Sequence, residues 1–167
     1  FKQRGMARDV DASTYTRIEN YGAGGRRAVA ASCISYLYAK EALNELGADA
    51  TLYKVGTPYP MPEKLTKDFL AGADSVLVLE ELDPVVEEQL HIEAAGRVPV
   101  LGKRSGDRPW NGKYSFELIK AALAKYLGLS AEAEAAPELP QLPVRPPVLC
   151  AGCPHRGSFY AVKRALG

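Results

Sequence analysis

Ser75-Val76-Leu77-Val78-Leu79-Glu80-Glu81 is the stretch that decides the fold. Four aliphatic side chains follow one another without polar alternation, and the run is too short for a buried helix. A run of that kind fits a strand covered on both faces. A strand covered twice needs helices on both sides of its sheet, and the flanking sequence offers them. Downstream, a helix is expected from about Pro84 to Ala95, stopped by Gly96, and then a short strand over Val98–Leu101. Phe116–Leu127 has amphipathic spacing and ends at Gly128.

Upstream, Ala28–Ser32 is a small-residue apolar run that also suits a doubly covered strand. Ser35 is a candidate cap for a helix carrying Leu37, Tyr38, Leu43 and Leu46, with Gly47 as its stop. Thr51–Val55 makes another strand, and Pro62 falls near the first turn of a helix reaching about Leu70. Strands alternating with helices of about ten residues imply right-handed crossovers and a mainly parallel sheet. The expected organisation is a tail or connection over residues 1–26, an α/β domain over 27–128, a Pro-rich surface linker over 129–147, and the truncated start of a second domain over 148–167. Five prolines between Pro137 and Pro147 exclude a helix or strand ladder in that linker.

The 167 residues include 25% charged and 47% hydrophobic side chains, with a net charge of +1. That balance argues against a surface built to hold a nucleic-acid backbone. No stretch approaches the roughly 20 apolar residues that cross a bilayer. Three cysteines, two of them close together, suit a reducing compartment better than a disulfide scaffold, so a cytoplasmic location is expected. Phe1 opens the chain without an initiator Met or a signal-peptide pattern, as an internal segment of a longer protein would.

Chemistry is concentrated in Cys150-Ala151-Gly152-Cys153-Pro154-His155-Arg156. Two thiols spaced by two residues can hold part of a soft metal centre, form a small redox disulfide, or simply pack a turn. Zinc and iron–sulfur centres take four ligands, so further ligands would have to come from elsewhere. Pro154 separates Cys153 from His155 and rules out the haem-attachment pattern. His155 and Arg156 at a helix start can favour an anion, or lie on a solvated turn. In the α/β domain, ligands of open parallel sheets bind at the carboxyl ends of strands. There, Ser32, Ser35 and a helix N-terminus could hold an anion, although no dinucleotide fingerprint follows the first strand. Glu80 and Glu81 can bond backbone amides, meet a neighbouring chain, or act on a ligand. Cys33 is expected to be a small buried residue, and His91 a surface histidine.

Four stretches in order carry a resemblance to a known family. Ala28–Tyr38 with Lys40-Glu41-Ala42-Leu43 is similar to the T-S-G-x-x-Y-x-Y-x-x-E-A-L opening of the transketolase C-terminal-like domain in indolepyruvate ferredoxin oxidoreductase alpha subunits. Lys54–Leu65 resembles that family's K-x-G-x-x-Y-P-L-P-E-K-L stretch. Val76–Pro84 with Glu87-Glu88-Gln89 resembles its V-L-V-V-E-E-L-D-P-F-I-E-E-Q. Arg145–Gly157 resembles R-P-P-V-L-C-P-G-C-P-H-R-G, which opens the thiamine-binding domain. The resemblance covers about residues 27–166. Two positions depart from it: Ala31 stands for the family's Thr, and Cys33 for its Gly.

The resemblance implies a transketolase C-terminal-like, Rossmann-like three-layer sandwich with a mainly parallel sheet. It also implies oxidative decarboxylation of an aryl 2-oxoacid such as indolepyruvate to an acyl-CoA. That reaction uses thiamine pyrophosphate with Mg²⁺, 4Fe-4S clusters, ferredoxin as electron acceptor and a beta subunit as partner. On this basis residues 27–128 are a scaffold and interface domain with no catalytic residue. Cys150, Gly152, Cys153, His155 and Arg156 would lie near the thiamine site, with Cys150 and Cys153 as possible cluster ligands. The chain alone would then be inactive and bind no cofactor. Two other expectations compete with it: a non-catalytic α/β interaction module, and a small Cys-x-x-Cys metal or redox protein. Neither a nucleic acid nor a membrane is expected as a partner.

Overall fold

The computed structural model describes residues 2–130 and 148–167. They fall into two compact units, Phe1–Ala133 and Glu134–Gly167. The first unit runs α1 (Lys2–Asp11), β1 (Arg17–Tyr21), β2 (Arg27–Ser32), α2 (Cys33–Glu45), β3 (Ala50–Val55), α3 (Glu63–Ala71), β4 (Ser75–Leu79), α4 (Val85–Ala94), β5 (Val100–Leu101) and α5 (Phe116–Leu127). The five strands form one sheet in the order β1-β3-β2-β4-β5. All neighbours are parallel except β1, which runs antiparallel to β3.

Side chains alternate across the pleat, and both faces are apolar. Val29, Ala31, Leu77 and Leu79 point to one core, which Tyr36, Ala39 and Leu43 of α2 and Ile119 and Leu123 of α5 complete. Ala28, Ala30, Val76 and Val78 point to the other, which Phe69 and Leu70 of α3 and Val86 and Leu90 of α4 complete. The result is helix, sheet, helix: the three-layer arrangement that the uninterrupted β4 run requires. Each fully buried leucine or valine contributes about 1.5–3 kcal/mol of transfer free energy.

The caps follow local chemistry. Ser115 caps α5, its hydroxyl accepting from Leu118 N, and Gly128 closes the helix in the left-handed region at φ 74°. α2 starts at Cys33 rather than behind Ser35; Ser32 is the residue before it and offers no side-chain cap. Ser35 instead turns inward in the first turn, 1% exposed, with no hydrogen-bond partner for its hydroxyl. β5 is shorter than expected, Val100–Leu101, because only Val76 and Leu77 of β4 pair with it.

The stretch expected as a tail or connection over residues 1–26 contains α1 and β1. β1 is the edge strand of the sheet, pairing from Arg17↔Lys54 to Tyr21↔Ala50. Its pairing is backbone work, reinforced by one polar cluster. Arg17 donates to Glu19 Oε1 (2.6 Å) and to the Tyr36 hydroxyl (2.9 Å), and that hydroxyl donates to Glu19 (2.8 Å). Asp11 at the end of α1 accepts from Lys64 N at 3.1 Å, tying α1 to α3. The linker expected over 129–147 lies, from residue 131 on, outside the described residues.

In the second unit, α6 spans His155–Leu166, with Pro154 as its N-cap residue. None of its residues is buried. No helix among the described residues is long and apolar enough to cross a membrane.

Candidate functional site

The carboxyl ends of β2, β3, β4 and β5 all lie at one end of the sheet, where an open parallel sheet would hold a ligand. Three glutamates stand there, and each is already engaged. Glu80, 4% exposed, accepts from Val86 N and Glu87 N, both at 2.9 Å. It therefore caps α4 from outside, where Pro84 supplies no side-chain acceptor, and it sets a negative charge on the positive end of the helix. Burial pushes the Glu80 carboxyl above its ordinary value, against the pull of those two amides. Glu81 accepts from Tyr114 N at 2.8 Å and holds the segment that enters α5.

Glu87 goes further. It lies inside the protein with no exposed surface and accepts from Lys103 N (2.8 Å) and Arg104 N (3.0 Å). The loop after β5 is thus bound to α4 by a buried carboxylate. Gly102 makes room for it: a Cβ there would sit 2.6 Å from the Glu87 carboxyl carbon and from Oε2. Gly102→Ala should therefore cost about 1–3 kcal/mol, in the range of overpacked buried sites. Chemical denaturation checks it; a cost near zero would show that the carboxylate can move aside freely.

Beside this carboxylate, Lys103 is 2% exposed and donates to Trp110 O at 3.4 Å, with its ammonium 5.3 Å from the Tyr114 ring centroid. Arg108 has a buried Nε without a partner, and burial holds its guanidinium below the ordinary arginine value. The amide bonds of Glu80, Glu81 and Glu87 make this end of the sheet a fixed frame. Sequence reasoning named Glu80 and Glu81 and missed Glu87. Its signal would have been a glutamate in α4 facing a glycine after the next strand.

Ser32 and Ser35, the serines expected near an anion, lie at the N-cap and in the first turn of α2. Ser32 and Ser35 are buried, while Cys33 is exposed rather than buried. Cys33 has φ 50°, in the left-handed region, which turns its side chain outward at the sharp bend from β2 into α2. A non-glycine residue pays steric strain there, about 1–2 kcal/mol. Cys33→Gly should be neutral or stabilising by up to about 1 kcal/mol, and Cys33→Val destabilising, because a β-branched residue fits φ > 0 worst. Thermal melts of the two variants give the comparison; Cys33→Val matching wild type would contradict the strain.

The second cluster lies in the other unit. Cys153 N donates to Cys150 O at 3.1 Å, closing a four-residue turn, and Gly152 takes φ 79° inside it. Cys153 Sγ and His155 Nδ1 are 3.4 Å apart. Arg156 follows in the first turn of α6, which holds no acidic residue. The turn thus brings Cys150, Gly152, Cys153, His155 and Arg156 together at one helix start. Among the described residues no group of three or more His, Cys, Asp or Glu side chains is placed to hold a metal ion. His91 lies on α4, 44% exposed, 3.7 Å from Glu87 Oε1, and is remote in sequence from this turn.

A cleft of the first unit lies elsewhere. It runs between α3 and α4, lined by Lys67, Leu70, Glu93 and Arg97, toward the amino ends of β4 and β5.

No protein-family model matches the chain. Curated relatives do. The indolepyruvate oxidoreductase subunit IorA of Archaeoglobus fulgidus is 39% identical over 140 residues, covering 80% of this chain and 22% of the relative. The subunit of the same name from Methanothermobacter marburgensis is 36% identical over 167 residues, covering 98% of this chain and 27% of the relative. That of Thermococcus kodakarensis is 40% identical over 146 residues, with 80% and 22% covered. The chain thus spans about a quarter of the length of the curated relatives it matches. Among solved structures, a chain described as "Split gene transketolase, inactive beta4 tetramer" superposes with a TM-score of 0.51 at 17% identity. The match covers 68% of this chain and 43% of that one. At that identity the match speaks to the fold, which is transketolase C-terminal-like.

Proposed function

We propose that this chain, which belongs to the indolepyruvate oxidoreductase subunit IorA family, is the scaffold segment of a thiamine-dependent oxidoreductase subunit and meets the cofactor only through residues 150–156. The whole assembly would oxidatively decarboxylate an aryl 2-oxoacid, indolepyruvate, to an acyl-CoA. Electrons would pass through 4Fe-4S clusters to ferredoxin, and a beta subunit would complete the enzyme. The observation that carries this reading is the similarity itself, sustained across 80–98% of the chain.

The two units divide the work. The first unit is a fixed frame: Glu80, Glu81 and Glu87 at the carboxyl end of the parallel strands are spent on its own backbone amides. The same end exposes a large apolar side chain on every connection, namely Ile34, Tyr59, Leu82 and Trp110. A row of that kind suits a surface covered by the rest of an assembly. Tyr59→Lys and Leu82→Lys should therefore leave the stability of this chain within about 0.5 kcal/mol of wild type. In the complete subunit the same changes should weaken assembly, read by sedimentation velocity. Unchanged assembly would remove the interface role.

In the second unit, the residues fit one part of the cofactor. Thiamine diphosphate, when bound, supplies the carbon centre that takes up the acyl group. The start of α6 and the Arg156 guanidinium favour its diphosphate, and no carboxylate in the first turn opposes it. Residues 148–167 contain no Asp or Glu, so the ligands of Mg²⁺ would come from other segments. The two thiols are likewise half of what an iron–sulfur cluster takes. Arg156→Ala in the complete subunit should raise the thiamine diphosphate Kd about 10-fold, as loss of a charge-assisted hydrogen bond does. Calorimetric titration measures it, and an unchanged Kd would take residues 150–156 away from the cofactor.

A further inference from the structure

Cys150 and Cys153 form a pair whose geometry is set by the backbone. They are the first and last residues of a turn closed by Cys153 N→Cys150 O at 3.1 Å. The ends of such a turn lie less than about 7 Å apart at Cα. A disulfide spans about 4.4–6.8 Å between the same atoms. Gly152 at φ 79° supplies the left-handed third position that closes the turn, and a Cβ there would meet nothing. Both sulfurs are free thiols, with Cys150 exposed and Cys153 half-buried. His155 Nδ1 stands 3.4 Å from Cys153 Sγ, beside the less accessible of the two.

We propose that this turn is a site of reversible thiol–disulfide exchange, in which Cys150 and Cys153 close an intramolecular disulfide at the head of α6 when met by a low-molecular-weight disulfide. The exposed Cys150 Sγ loses its proton to solvent and attacks one sulfur of the oxidant. The first sulfur–sulfur bond forms, the oxidant's own bond breaks, and one small thiolate leaves and takes up a proton. Cys153 Sγ then attacks the Cys150 sulfur of the mixed disulfide, its proton passing to His155 Nδ1 and on to the second leaving thiolate. Two cysteine thiols lose two electrons and two protons, and one small disulfide becomes two small thiols. A reduced dithiol reverses the sequence. Cys33 has no second cysteine in the turn from β2 into α2 with which to close a ring. The inference is independent of the thiamine reading, since it rests on the turn alone.

The test uses the full chain and oxidised glutathione. Of the three cysteines, Cys150 and Cys153 should together lose alkylation, with a Cys150–Cys153 linked peptide and no retained glutathione, while Cys33 stays alkylatable or carries glutathione alone. Dithiothreitol should restore both thiols. Cys153→Ser should trap glutathione on Cys150 as a lasting adduct, and His155→Asn should slow ring closure without changing the end point. Stable glutathione adducts on both cysteines of the wild-type turn would overturn the proposal. So would a disulfide joining two chains, or thiols protected from alkylation before oxidant is added by bound iron or zinc.

Discussion

Glu87→Ala should cost the first unit about 3–5 kcal/mol, the range for breaking a buried hydrogen-bonded charge. The side chain is fully buried, and its two oxygens take the amides of Lys103 and Arg104. Removing it leaves one buried and one part-buried N–H group without an acceptor and a void beside Gly102, so desolvation and cavity terms add. Glu87→Gln keeps the volume and one acceptor but turns a donor toward the other amide, and should fall between alanine and wild type. Glu88 is the control: it is half-exposed and among the described residues pairs with Arg104, so Glu88→Ala should cost less than about 1 kcal/mol. Urea denaturation of the three variants decides the matter. Equal costs at positions 87 and 88 would show that the amide contacts contribute little.

Tyr53→Ala should be comparable, at about 3–5 kcal/mol. Tyr53 is fully buried in β3, stacked on Phe69 of α3 with centroids 4.7 Å apart, and its hydroxyl meets Thr66 Oγ1 at 2.8 Å. Thr66 in turn donates to Pro62 O at 2.6 Å, so strand, helix and cap form one chain of contacts. Tyr53→Phe removes only the hydroxyl and should cost about 1–2 kcal/mol, because Thr66 keeps its bond to Pro62. Burial also moves the phenol: Tyr53 and Tyr114 are each pushed up to about 12 from the ordinary value of 10.0. The sign follows from linkage. The folded state holds these protons longer, so the stability they contribute is fully present below pH 10 and is lost as pH rises from 10 through 12. Tyr53→Phe should therefore show a shallower loss of stability than wild type across that window.

Most of the frame was legible because its signals are local. Four consecutive aliphatics at 76–79 state a doubly covered strand, and the amphipathic run Phe116–Leu127 with Gly128 at its end states α5. β1 was not legible. Arg17–Tyr21 is charged, is held by pairing to β3 at the sheet edge, and gains its polar cluster from Tyr36 in α2. Cys33 was misjudged for a related reason. Free cysteines tend to be buried, but the left-handed bend here points this one to solvent. In the candidate site, the composition of 150–156 was readable, whereas the amide partners of Glu80, Glu81 and Glu87 come from residues 6 to 33 positions away. No window of local spacing encodes those partners, although the glutamates themselves stand out in the text.

The central claim, that this chain serves as a segment of a thiamine-dependent indolepyruvate oxidoreductase, is best tested by exchange. The Methanothermobacter marburgensis relative aligns with 98% of this chain, so its corresponding quarter can be replaced by these residues and the hybrid assembled with its partner subunit. Indolepyruvate-dependent reduction of a low-potential electron acceptor is then followed with and without thiamine diphosphate and CoA. The expected result is an assembled hybrid that retains at least about a tenth of the parent rate, a loss of no more than about 1.4 kcal/mol in the barrier, and that depends on both thiamine diphosphate and CoA. A hybrid that folds and assembles like the parent yet shows no indolepyruvate-dependent reduction would contradict the account.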